Sequence, residues 1–171
     1  MKIIGSVLVM VSSCGIGFLY ADEIRKRKEE LEELYYLMKL ILGDIRYMRA
    51  TFPEAIARAM NRHKGNYSRF LNCIFDKMSD ASGIAFQEIW KNAVEAGLAY
   101  SAITVEDKQK LIRLGETINV TDREIVMSSF ELYISELKEV IGRLQSDAQI
   151  KKKFYRSLGI LTGIFIVVMF I

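Results

Sequence analysis

The hydrophobic pattern of this chain changes twice along its length. Residues 3–20 and 158–171 are almost continuously apolar, whereas the residues between them mix apolar and charged positions. As helices rising about 1.5 Å per residue, the first segment would reach about 27 Å and the second about 21 Å, against a hydrocarbon core of roughly 30 Å. The second segment would therefore need a locally thinned bilayer. The pattern predicts membrane segments at 1–21 and 157–171 that flank one domain at 22–156.

The domain between these segments has the periodicity of helices. Apolar residues recur at alternating spacings of four and three near both of its ends, which predicts a long helix from Asp22 to about Thr51 and another that begins near Asp122. Shorter helices are predicted between them at about 53–63, 67–79, 84–97 and 105–118. The predicted fold class is all-α: a compact six-helix bundle with long antiparallel first and last helices.

Side chains within these helices favour packing over chemistry. Ser82 and Thr104 are candidate N-caps. Aromatic residues at helical spacing with aliphatic neighbours predict a packed core, at Phe70, Phe75, Phe86 and Trp90. A run of glutamates in the first helix predicts a solvated face, at Glu29, Glu30, Glu32 and Glu33, with the pairs Arg25 to Glu29 and Lys26 to Glu30 at helical spacing.

Basic residues cluster beside both apolar segments. Because positive loops stay cytoplasmic, the domain at 22–156 is expected to face the cytoplasm, with these side chains beside lipid headgroups. The net charge of +3 is small, and basic residues do not alternate with aromatics along one face, so a nucleic-acid partner is not expected. The membrane-flanking basic residues are Arg25, Lys26, Arg27, Lys28, Lys151, Lys152, Lys153 and Arg156.

The first apolar segment has two other interpretations. A cleaved signal peptide is one, although the segment lacks a clear Ala-x-Ala site. The other is an extracytoplasmic lipoprotein, since the residues before Cys14 resemble a bacterial lipobox, and lipidation there would put the domain on the outer side of the membrane. Small residues at four-residue spacing, Ser13 with Gly17 and Gly159 with Gly163, predict close helix pairing or homo-oligomers, although glycine is also common in membrane helices.

Residues that could carry catalysis are few. His63 is the only histidine and lies at a predicted helix end, where a basic side chain suits the helix dipole. Cys73 lies on an apolar face with no second cysteine nearby, as a small buried hydrophobe would. The sequence contains no phosphate-binding loop, zinc motif or dinucleotide fingerprint. We expect no enzyme activity, cofactor or metal, and any nucleotide should be bound by a partner.

Several blocks of sequence resemble one family. Leu114-Gly-Glu-Thr117, Asp122-Arg-Glu124 and Ser157-Leu-Gly159 before the terminal apolar run look like the stage III sporulation protein AB family, and Asp44-Ile-Arg-Tyr47 and Pro53-Glu-Ala55 resemble its early part. The likeness extends over essentially the whole chain.

The resemblance implies a component of the mother-cell membrane facing the forespore, within the channel complex that joins the two cells. It implies a cytoplasmic helical domain similar to the platform protein F of type II secretion systems. The expected partners are a cytoplasmic ATPase, stage III sporulation protein AA, and other channel subunits. The alternative is an extracytoplasmic lipoprotein or a membrane-tethered adaptor outside that complex. The candidate partner contacts are Glu116, Asp122, Arg123 and Glu124, for which capping and solvation are the simpler explanation.

Overall fold

The computed structural model describes residues 2–79, 84–118 and 122–170, and it describes side chains over 22–78, 84–118 and 122–147. All the regular structure in these ranges is helical. The helices are α1 (Lys2–Tyr47), α2 (Phe52–Arg62), α3 (Ser68–Ser79), α4 (Phe86–Gly97), α5 (Val105–Ile118) and α6 (Arg123–Phe170).

The helices alternate in direction along the bundle. Each helix packs against the next in the chain, and α6 returns to pack along α1. Cross-contacts fix the directions, because Tyr67 before α3 binds the carbonyl of Glu30, while Phe86 at the start of α4 meets Phe52 at the start of α2. The predicted six-helix bundle with antiparallel first and last helices is therefore confirmed.

The alternating direction of the helices places their connections at two opposite ends of the bundle. We call "the base" the end that holds residues 22–33 of α1 and the connections 63–67 and 98–104. We call "the tip" the opposite end, which holds the turn after α1, the start of α4 and the start of α6. At about 1.5 Å per residue, Tyr47 stands about 38 Å along α1 from Asp22.

The core is centred on an aromatic cluster. Trp90 is fully buried and donates its indole N–H to the carbonyl of Leu111 across 2.8 Å. Phe70 meets the indole edge to face with ring centroids 5.1 Å apart, a favoured geometry for aromatic pairs. A Cβ on Gly115 would lie 2.1 Å from Trp90 Cδ1, so only glycine lets the indole reach α5. Of the four aromatics predicted as core, Phe75 is the exception, since it is 37% exposed.

The caps agree in part with the sequence. Thr104 Oγ1 accepts the Asp107 N–H at 3.3 Å, and Asp107 Oδ2 accepts the Thr104 N–H at 2.9 Å, so Thr104 is confirmed as an N-cap. Ser82 lies outside the residues that the structure describes, and Ala85 occupies the N-cap position of α4. At the start of α2, Thr51 donates its N–H to Glu54 across 3.0 Å.

The acidic run of α1 is only partly the solvated face that was predicted, because Glu29 and Glu32 are exposed whereas Glu30 and Glu33 bind other parts of the chain. Glu30 accepts the Ala102 N–H at 2.8 Å. Glu33 accepts both the main-chain N–H and the side-chain amide of Asn66, at 2.8 and 3.1 Å. These two carboxylates hold the base connections onto α1. The predicted pairs of Arg25 and Lys26 were also wrong, because both bind Asp22 instead, at 2.7 and 2.8 Å.

The predicted membrane segments lie wholly outside the side chains that the structure describes. Residues 2–21 belong to α1 and residues 157–170 belong to α6, and each of these helices is continuous. Among the described residues, no helix is sufficiently long and apolar to cross a bilayer. Ser13, Gly17, Gly159 and Gly163, predicted as packing positions, lie outside the described side chains, as do Lys151, Lys152, Lys153 and Arg156.

Candidate interaction surface at the tip of the bundle

The turn after α1 gives the tip its shape. The N–H groups of Met48 and Ala50 both donate to the carbonyl of Asp44, at 3.2 and 3.3 Å. Between them Arg49 has a φ of 51°, in the left-handed region that glycine usually occupies after a helix. The chain thus keeps a long cationic side chain at a position where glycine would be easier to accommodate. The Arg49 side chain is exposed.

Arg123 fastens the start of α6 to the end of α1. Its guanidinium donates to the carbonyl oxygens of Ile45 and Arg46, which belong to the last turn of α1 and lack helical partners. A cation is also favourable beside the negative end of a helix dipole. Arg46 in turn pairs with Glu131 of α6. The tip is therefore held by contacts between the first and last helices.

Exposed apolar side chains gather on this end. Of the nine large hydrophobic residues that are exposed in the described part of the chain, four belong to connections or helix ends at the tip. The contact between Phe86 and Phe52 brings the start of α4 to this end, and Arg58 Nη1 lies 2.8 Å from the Met48 sulfur. We call this surface the tip patch; it consists of Tyr47, 81% exposed, Met48, 56%, Ile84, 42%, and Ile125, 45%.

Charges of both signs lie around the tip patch, since Glu116 and Glu124 are exposed at the same end as Arg49 and Arg58. Neither Arg49 nor Arg58 pairs with a carboxylate within the described ranges, whereas two nearby acids are engaged with main chain. Glu54 accepts the Thr51 N–H, and Asp122 Oδ1 accepts the Glu124 N–H at 2.8 Å. An apolar patch with unpaired guanidinium groups suits an apolar partner surface that carries carboxylates.

All four candidate contact residues lie at the tip. Asp122 is the N-cap of α6, and its carbonyl also accepts the Val126 N–H at 3.1 Å. Arg123 is committed to the carbonyls of α1. Glu124 is exposed in the first turn of α6. Glu116 is exposed near the end of α5, where its carbonyl accepts the Gln87 amide at 3.2 Å. Capping thus accounts for Asp122 and Arg123, while Glu116 and Glu124 present their carboxylates to solvent.

Sequence reasoning missed the tip patch. A signal was present, because Tyr47 and Ile125 are large apolar residues that fall outside the seams of their helices. Met48 and Ile84 follow or precede helices and belong to no periodic pattern. Their convergence depends on the path of the chain, which periodicity within a single helix does not give.

Two other candidate residues, His63 and Cys73, lie in surroundings that are structural and not catalytic. His63 is the C-cap of α2, and its Nε2 lies 2.8 Å from Glu33 Oε1. That approach lacks hydrogen-bond geometry, so we interpret it as a close polar contact at the base. Cys73 is a half-buried free thiol that packs against the core. No group of histidine, cysteine or acidic side chains within the described ranges could hold a metal ion.

One member of the basic cluster at the base is engaged within the bundle. Arg27 makes two hydrogen bonds to the buried carboxylate of Asp107, at 2.9 and 3.1 Å. Burial alone would raise the pKa of Asp107, but hydrogen bonds from Arg27 and Thr104 outweigh it and hold that pKa below its usual range. Lys28 pairs with Glu32 across 3.3 Å on the surface. Arg27 thus joins α1 to α5.

Comparisons with known proteins identify a family and a shared fold. The family model for stage III sporulation protein AB matches residues 2–171 of this chain. Stage III sporulation protein AB of Bacillus subtilis (strain 168) is 20% identical over 172 residues, covering 99% of this chain and 98% of that protein. A solved structure of stage III sporulation protein AB has a TM-score of 0.65 and 14% identity, covering 72% of this chain and 97% of that one, which shows a shared fold. The resemblance seen in the sequence is confirmed: the chain belongs to the stage III sporulation protein AB family.

Proposed function

We propose that this protein is a membrane scaffold of the channel complex between mother cell and forespore, and that its tip docks a cytoplasmic ATPase, stage III sporulation protein AA. The observation that carries the proposal is the alternating path of the six helices, which puts the tip patch at the end opposite the predicted membrane segments. In this arrangement the apolar ends anchor the base in the mother-cell membrane, and the tip projects into the cytoplasm.

The tip patch has the composition expected of a docking surface. Hot spots at protein interfaces are enriched in tyrosine and arginine, and the tip exposes Tyr47 and Arg49. The helix ends beneath the patch are fixed, because Arg123 and the pair of Arg46 with Glu131 join α1 to α6. Little conformational entropy is then lost when a partner binds.

The long helices would link the partner to the membrane. An ATPase on the tip patch would push or pull on the ends of α1 and α6, both of which continue past the base. The remaining helices contribute the core that keeps these two helices in register. This arrangement requires no catalytic group in the chain itself, since the ATPase supplies nucleotide hydrolysis.

Binding of the full chain in lipid nanodiscs to the purified ATPase tests the docking proposal. Tyr47→Ser should weaken binding by about tenfold or more, because a buried aromatic anchor contributes about 2 kcal/mol or more to an interface. Tyr36→Ser is the matched control, since Tyr36 is 75% exposed on the middle of α1. Equal binding by Tyr47→Ser and the wild type would refute a docking role for the tip patch.

Arg49→Gly separates recognition from folding. Glycine accepts a φ of 51° without a steric penalty, so stability should be equal or slightly higher. If the guanidinium contacts carboxylates of the ATPase, binding should fall and lose part of its dependence on salt. A variant that is stable and binds normally would remove Arg49 from the interface.

Topology needs its own measurement. In sealed vesicles with a known orientation, proteases added on the cytoplasmic side should cut the connections of the domain at 22–156. The mature protein should also retain Met1. Loss of the first thirteen residues, with lipid on Cys14, would instead establish the lipoprotein and contradict the cytoplasmic scaffold.

A further inference from the structure

The connection between α4 and α5 is firmly attached to α1 at the base. Ala102 donates its N–H to the Glu30 carboxylate. Thr104, two residues further along the chain, donates its hydroxyl to the Asp107 carboxylate, which also accepts a hydrogen bond from Arg27 of α1. Ser101 is held by two bonds to the carbonyl of Leu98, from its N–H at 3.2 Å and its hydroxyl at 2.7 Å. Leu98 and Ile103 are buried in the core. We call residues 98–105 the base loop, which consists of the connection 98–104 and Val105, the first residue of α5.

Two apolar side chains of the base loop nevertheless point away from the protein. Tyr100 is 92% exposed and Val105 is 71% exposed. Neither contributes to the contacts that hold the loop, so the fold does not explain an aromatic and a β-branched residue there. Tyrosine has an apolar ring and a polar hydroxyl, the combination enriched where a bilayer meets water.

The height of the loop above a bilayer follows from α1. If α1 leaves the hydrocarbon core at residue 21, Arg27 lies about 9 Å and Glu30 about 14 Å above that boundary. The headgroup layer extends about 5–7 Å from the same boundary. Within the described ranges α5 packs on α4 and α6 and not directly on α1, so it stands about 13 Å from α1 across the bundle, and a tilt of about 20° toward that side lowers it by about 4 Å. Side chains that extend from this level toward the base would therefore reach the headgroups.

We propose that the base loop is a peripheral membrane contact, with Tyr100 and Val105 inserted into the headgroup region of the bilayer. This inference rests on the membrane anchoring in the proposed function and adds a contact made by the folded domain. The loop would fix the tilt of the bundle, because its backbone is tied to α1 through Glu30 and Asp107. Force applied at the tip would then reach the bilayer at the loop as well as through the long helices.

Depth-dependent fluorescence quenching tests the inference on the full chain in liposomes. The variants Tyr100→Trp and Val105→Trp are each compared with the wild type, whose single tryptophan, Trp90, is fully buried and sets the background. In lipids brominated near the top of the acyl chains, both variants should show blue-shifted emission and extra quenching. Tyr47→Trp at the tip and Tyr36→Trp at mid-height are matched controls and should show neither effect.

Two results would overturn the proposal, and a flotation assay tells them apart. If the chain floats with liposomes and resists high salt, yet Tyr100→Trp and Val105→Trp are no more quenched than the controls, the loop stays in water and only anchoring survives. If the chain does not float with the liposomes, the anchoring in the proposed function fails and the loop contact fails with it. Circular dichroism of each variant confirms that the helices are intact.

Discussion

Replacing glycine by alanine should have opposite effects on stability at different positions of this bundle. At Gly115 a Cβ would lie 2.1 Å from Trp90 Cδ1, and at Gly97 it would lie 2.7 Å from the Cα of Phe70. At Gly43 and Gly142, which are also helical, a Cβ would meet nothing within 4 Å. The same added methyl group thus enters a packed core at two sites and open space at the other two.

The expected cost at Gly115 can be divided into three contributions. Overpacking of a core costs about 1–3 kcal/mol. Displacing the indole from Leu111 leaves a buried N–H without an acceptor, which costs about 1–3 kcal/mol more. Alanine gains about 1 kcal/mol of helix propensity over glycine. We expect Gly115→Ala to lower the free energy of unfolding by about 3 kcal/mol, and Gly142→Ala to raise it by about 1 kcal/mol.

Thermal unfolding of the full chain in mild detergent measures these effects. A change of 1 kcal/mol shifts Tm by about 2–4 °C in a protein of this size, so Gly115→Ala should melt about 10 °C lower and Gly142→Ala about 3 °C higher. Trp90 is the only tryptophan, so its emission also reports whether the indole has moved. A Gly115→Ala variant with wild-type Tm and unchanged emission would refute the packing explanation.

Three further predictions concern polar groups within the bundle. The pKa of Asp107 is lower in the folded than in the unfolded protein, so its carboxylate stabilises the fold at neutral pH, and this contribution is lost as pH falls through the folded pKa. In urea unfolding, the stability of Asp107→Asn should therefore depend less on pH than that of the wild type below about pH 4. Tyr133→Phe should leave the urea midpoint equal or higher, since the buried hydroxyl lacks a hydrogen-bond partner in the described part of the chain. Tyr67→Phe should instead lower the free energy of unfolding by about 1 kcal/mol, because it removes the hydrogen bond from the Tyr67 hydroxyl to the Glu30 carbonyl of α1. Arg123→Ala should speed hydrogen exchange in the last turn of α1, because the carbonyl groups of that turn lose the guanidinium that donates to them. Unchanged exchange there would show that Arg123 does not hold the end of α1.

Periodicity predicted the helices well because each seam repeats over many turns. The predicted helix at 105–118 matches Val105–Ile118, and that at 53–63 matches Phe52–Arg62 within one residue. A seam records which face of a helix is buried, and every turn adds independent evidence. The helix ends were also marked, by Thr104 before α5 and by Asp122 before α6.

Contacts between distant parts of the chain were not predictable in the same way. Glu30 and Glu33 lie on a charged stretch of α1, and the sequence contains nothing to distinguish them from a solvated pair. They bind main-chain N–H groups of Ala102 and Asn66, which lie 72 and 33 residues away. Whether a carboxylate faces water or a loop depends on where the intervening helices bring that loop. Charge pattern alone therefore overestimated the solvated face.

The number of helices explains why the tip could have been anticipated in outline. In an alternating bundle of six helices, the first, third and fifth connections all fall at one end, and both chain termini emerge at the other. Those three connections contain or adjoin Tyr47, Ile84 and Asp122. The alternating direction of the helices is therefore enough to bring these residues to the same end. The alternating direction of the helices does not decide which side chains stay exposed, because exposure depends on packing at each helix end. At the base, carboxylates of α1 hold the connections down, whereas at the tip Arg123 satisfies the helix end and leaves apolar side chains uncovered. The two ends thus differ in what satisfies their main-chain groups, although each leaves apolar side chains exposed, such as Tyr47 at the tip and Tyr100 at the base.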